Sequence, residues 1–152
     1  MRLDLAVLAL WGLLAFSGSA VSAAAPCLNG LGPALLAGGF SGSIDCENDH
    51  LSVRYVGLVQ KFGRTFQVYA YRYRLKPACP ECAVHGGQRV IFIERGRYVG
   101  QYKPDFMEVA TRHGELIFKP TEGWGDPVTV EFTLDGPPKR LWVGGEVLGF
   151  FR

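Results

Sequence analysis

Residues 76 to 87 read KPACPECAVHGG, and within them Cys79, Cys82 and His85 are the side chains whose types and spacing could do chemistry. Two thiols three positions apart can exchange disulfides, hold a soft metal or lock onto one another. A redox dithiol needs a thiolate, which is favoured when the first cysteine stands at the N-terminus of a helix and meets unpaired backbone N–H groups. Here AVHGGQRVIFIE follows the motif, and its Gly86-Gly87 pair and β-branched run do not continue as a helix. The segment before it, VYAYRYRL, runs from a strand into Lys76-Pro77 with no βα unit.

A metal site would count Cys79, Cys82 and His85 as three ligands and would draw a fourth from His50, His113 or a carboxylate. Structural zinc sites are usually built from two separated half-sites, and the chain has no second C-x₂-C and no H-x₃-H. The third reading is a local disulfide, Cys79–Cys82, with Cys27–Cys46 closing an earlier loop. Four cysteines permit three pairings, and this one keeps both bonds local. It is favoured, so no metal and no cofactor is expected. In the chain-entropy model the Cys27–Cys46 loop would contribute on the order of 3 kcal/mol and the short ring much less.

The elements that carry these cysteines read as an exported β domain. The first residues, MRLDLAVLALWGLLAFSGSAVSAAAPC, place a charged start before an apolar run and then small residues, the order of a secretory leader. Ser17, Gly18 and Ser19 interrupt the apolar run before it reaches the length of a membrane span. Cleavage after Ala23 fits the A-x-A pattern and leaves residues 24 to 152 as one disulfide-bonded domain. A periplasmic or secreted location follows, and export to an oxidising compartment makes disulfides the expected state of all four cysteines. Losing Arg2 and Asp4 with the leader leaves the net charge at +2, and no basic cluster points to nucleic acid or a membrane surface.

From about residue 40 the chain alternates short Val, Ile, Phe, Tyr and Thr runs with Gly, Pro, Asn or Asp breaks. The strands expected are 51 to 59, 64 to 75, 88 to 95, 97 to 102, 106 to 112, 115 to 119, 127 to 134 and 140 to 143, with 146 to 151 as one more. The fold class is all-β, a small antiparallel sandwich or partly closed barrel. Val90, Ile91, Phe92 and Ile93 are apolar on both faces and predict a central strand covered on both sides. In PVTVEFTL, Val128, Val130, Phe132 and Leu134 fall on one face and should lie over the core. His113-Gly114 predicts a tight hairpin turn. LGPALLAGG (31 to 39) predicts one short helical turn, with Pro33 at its start and Gly38 at its stop, too short to stand without packing.

For binding, Tyr69, Tyr71 and Tyr73 share one face of their strand and Arg72 and Arg74 the other. Either face could contact a protein, peptide or glycan, since Tyr and Arg are favoured contact residues. The alternative is that the tyrosines close the edge of the core while the cations keep the other face soluble. Tyr98, Tyr102, Trp124 and Trp142 could widen such a platform, although no spacing rule brings them together. No G-x-S-x-G, H-E-x-x-H or phosphate loop occurs, and Asp45 with Glu47 or Glu108 with Glu115 are carboxylates of the kind that hairpins normally expose. The function expected is that of a non-catalytic binding or inhibitor-like module of the cell envelope. The alternatives are redox or metal chemistry at Cys79, Cys82 and His85, or an enzyme with a dispersed active site.

The segments RYVGQYKPDF, TRHGELIFKP and VEFTLDG together resemble the small β domain appended to some penicillin-binding-protein-like serine hydrolases. The shared elements are a Y-x-G-x-Y start, a hairpin with Gly and a late V-x-F strand. The resemblance covers less than half of the chain and none of the serine hydrolase motifs, so it implies a small β fold and no hydrolysis.

Overall fold

Alternating side chains build four antiparallel strands, β1 (Ser52–Lys61), β2 (Arg64–Arg74), β3 (Gly86–Glu94) and β4 (Arg97–Tyr102), into a sheet of that same spatial order. The computed structural model describes residues 26–28, 30–42, 44, 46, 51–75, 77, 79–83, 85–105 and 107–152. The expected leader, and with it His50, Asp45 and Glu47, lies outside the described residues. A second sheet joins β5 (Glu108–Arg112), β6 (Glu115–Lys119) and β7 (Val128–Thr129), and a hairpin pairs β8 (Arg140–Val143) with β9 (Glu146–Gly149).

The expected central strand is β3, which lies between β2 and β4. Its side chains alternate between two cores. Val90 and Phe92 join Phe66, Tyr102, Phe118 and Leu148 in the larger cluster between the sheets. Ile91 and Ile93 join Tyr71, Tyr98 and three leucines on the opposite face. Those leucines, Leu28, Leu31 and Leu35, come from the N-terminal segment, whose helix α1 (Gly32–Ala37) begins with Pro33 in its first turn. A helix of six residues has no stability of its own, so burial of this leucine stripe holds it in place. Its C-cap Gly38 presses on the backbone of Tyr98, where a Cβ would overlap the strand. The architecture is therefore a β-sandwich with a short helical cover on one outer face.

Two-residue hairpins supply the close turns. His113-Gly114 has φ of 51° and 76°, as its sequence predicts, and Phe62-Gly63 and Arg95-Gly96 repeat the pattern between β1 and β2 and between β3 and β4. Both central residues adopt positive φ because that twist matches the flanking strands.

Both edges of the first sheet are tied to other parts of the chain without closing into a barrel. On the β1 side, Thr111 Oγ1 donates to the Val56 carbonyl at 3.0 Å and Arg54 Nη2 to the Val109 carbonyl at 2.9 Å. On the β4 side, Gln101 and Phe151 exchange backbone hydrogen bonds of 2.8 and 3.1 Å. These ties cover edges that would otherwise invite pairing with another chain.

The expected strand at 127 to 134 is shorter than its pattern. Val130 and Phe132 do enter the core, but β7 ends at Thr129 and Leu134 is 74% exposed. Thr133 pairs with Gly136 across a tight turn, and this places Leu134 at the turn's tip instead of over the core.

Candidate binding site

The expected tyrosine platform is largely occupied by the protein itself. Tyr71 is only 7% exposed and packs with Ile91, Tyr98 and the N-terminal leucines. Tyr73 stacks on it with ring centroids 5.3 Å apart, and Tyr69 packs at the margin of the same cluster, its ring 5.2 Å from that of Tyr55. Burial raises the Tyr69 phenol above its ordinary pKa, with a smaller contribution from Tyr55. The three rings close the outer core in the way the second reading of the sequence describes. Tyr98 and Tyr102 do not widen a platform either, since they are buried in the two opposite clusters.

Arg72 lies on the other face of β2 and is committed to the backbone. Its Nη2 donates to the Met107 carbonyl at 2.8 Å and its Nε to Gln88 Oε1 at 3.2 Å, while the buried Gln88 donates its Nε2 to the same carbonyl at 2.8 Å. One carbonyl thus takes two donors from the first sheet, which fixes the chain where it enters β5. Arg74 is exposed near the end of β2.

Both expected disulfides, Cys27–Cys46 and Cys79–Cys82, are formed. The first ties together the segment that carries the helical cover. The second closes a turn between β2 and β3 in which the Cys82 N–H donates to the Cys79 carbonyl at 3.1 Å. Among the described residues no helix lies between this turn and β3, so none presents an N-terminus to either sulfur to favour a thiolate. His85 is exposed, and its carbonyl accepts from the Leu75 N–H. Among the described residues no group of three or more His, Cys, Asp or Glu side chains is placed to hold a metal ion.

A concave surface lies elsewhere. The β4–β5 connection, the β6–β7 connection and the tip of the β8–β9 hairpin surround a groove of about 490 Å³. Met107, whose carbonyl Arg72 and Gln88 hold, contributes a buried side chain that is shared with the main core. Trp124 stands on the β6–β7 connection at the end of a turn in which its N–H donates to the Thr121 carbonyl at 3.0 Å. The same loop rests on the hairpin tip. A Cβ added at Gly144 would meet the Trp124 carbonyl at 2.8 Å and Pro120 at 3.0 Å, so only glycine admits that approach. The loop backbone is seated while the indole is 70% exposed beside the groove.

The polar side of the groove is acidic. Asp105 and Glu146 line it, and no lining residue is basic. Glu146 is held above the ordinary carboxylate range by burial first and by the nearby Asp105 charge second, while the Asp105 N–H, donating to its carboxylate, works the other way. The groove has an aromatic wall, an apolar floor and two carboxyl groups. Its arrangement suits binding.

Sequence reasoning named Trp124 only as an extension of the tyrosine surface and did not single out Asp105, Met107 or Glu146. The available signal was Trp124 within TEGWGDP, where breakers on both sides remove it from any strand and therefore from any sheet core. Comparison with family models, curated proteins and solved structures finds no match to the chain. The partial resemblance to the hydrolase-associated β domain gains no support from these comparisons.

Proposed function

We propose that the chain is an exported, non-catalytic binding module of the cell envelope that takes a protein, peptide or glycan ligand in the groove beside Trp124. The observation that carries this reading is an indole 70% exposed on a seated loop, next to a groove of about 490 Å³ with carboxyl groups on its rim. An aromatic side chain left in water costs the fold hydrophobic stabilisation, and exposed Trp is enriched where partners bind. Two disulfides are what an oxidising compartment produces, and among the described residues no helix is long and apolar enough to cross a membrane. Together with the leader-like start, these features support a periplasmic or secreted location.

The test is to probe peptide and glycan arrays with the mature protein and with Trp124→Ala in parallel. A ligand lost on substitution, with an unchanged melting temperature, supports the groove. Ligand capture that survives Trp124→Ala would overturn it.

A further inference from the structure

The charged side chains that line the groove are of one sign in a chain whose net charge is +2. Asp105 and Glu146 line it, and Glu122 and Asp126 flank Trp124 on the same loop, all four being acidic. Lys119 pairs with Glu108 at 3.5 Å, and Lys103, on the β4–β5 connection, does not line the groove. The carboxyl of Glu146 stands partly out of water beside Asp105, an arrangement that a positive group between or above them would relieve.

Resting on the binding reading above, we infer that the groove receives an arginine or lysine side chain of a polypeptide, its cationic head over the Trp124 indole and against Asp105 and Glu146, and its methylene stem along Met107 and Pro120. Each part of such a side chain meets a matching part of the groove. An exposed indole attracts a cation on its face, most strongly a planar guanidinium that can stack on it. The carboxylates supply acceptors for its N–H donors. The apolar floor covers the stem, which long cationic side chains bury readily. A volume of about 490 Å³ lies toward the lower end of the range for ligand sites and suits one side chain with its flanking backbone better than an extended polymer. Steering follows from the same charges, so association should weaken as salt screens them.

The experiment is a fluorescence titration of the mature protein, read on its tryptophans and checked by calorimetry. The probes are a short peptide carrying one central arginine, the same peptide with citrulline in its place, tetramethylammonium chloride and the trimer of N-acetylglucosamine. Saturable binding of the arginine peptide is expected, weakened about tenfold by citrulline and to a similar degree by Trp124→Ala. Asp105→Asn, an exposed and nearly isosteric change, should weaken it about threefold at low salt and less at high salt, with an unchanged melting temperature. Equal binding of the arginine and citrulline peptides, or preference for the neutral sugar, overturns the cation; if that binding still requires Trp124, the groove itself stands. Tighter binding of tetramethylammonium than of the peptide overturns the polypeptide source. Absence of binding by every probe overturns the inference.

Discussion

Tyr71 and Trp124 are aromatic side chains of comparable size with opposite fates, one 7% and the other 70% exposed. Tyr71 belongs to a period-two stripe on an interior strand, where a whole face must be covered by something, and the N-terminal leucines cover it. Trp124 is a single aromatic residue in a Gly- and Pro-containing connection, and no sheet face claims it. Repetition on a strand builds cores, whereas an isolated large ring on a seated loop is left free to meet something else. The tyrosines therefore report on stability, and under the proposed function the tryptophan reports on recognition.

Substitution can break this contrast or sharpen it. The largest effect is expected from Tyr71→Ala, which should lose about 3–5 kcal/mol by denaturant unfolding because it empties a packed aromatic site. A loss below about 1 kcal/mol would mean that the tyrosine face is open after all. Replacing Cys27 and Cys46 together by Ser frees a segment whose bonded ends are 19 positions apart and should lower stability by about 3 kcal/mol, with amide protection falling first in the helical cover.

A smaller effect should come from alkali. Burial pushes the Tyr98 phenol up to about 12, whereas in the unfolded chain it titrates near its ordinary value. The stability that Tyr98 contributes is complete below about pH 10 and is lost as pH rises through 12, because only the unfolded chain gives up its proton in that window. The loss should reach about 2 kcal/mol, and Tyr98→Phe should flatten that limb of the profile. The smallest change in stability belongs to Trp124→Ala, within about 0.5 kcal/mol, since an exposed ring contributes little to folding. A large destabilisation there would make Trp124 a structural residue and erase the contrast.

Much of the scaffold was legible in the chain. Period-two patterning located the strands, and the run Val90 to Ile93, apolar on both sides, required two covers for β3. Locality favoured the two cysteine pairings that the structure contains. The pattern of PVTVEFTL overstated the strand, which ends at Thr129, and misplaced Leu134, where a turn decided by Thr133 and Gly136 outranked alternation. The candidate site was hardly legible, because Asp105 and Trp124 stand on two separate connections, Glu146 begins β9, and the three share no motif.

The sequence by itself determined the antiparallel β class, the central strand and which cysteines are close enough along the chain to pair, since these depend on local period and short loops. Only the tertiary structure decided that the tyrosines face inward, that Arg72 holds the Met107 carbonyl, and that three connections meet in an acidic groove beside Trp124. The reason is that exposure belongs to a face and its cover together. A residue's type and spacing define the face, but the cover comes from parts of the chain that only folding brings near.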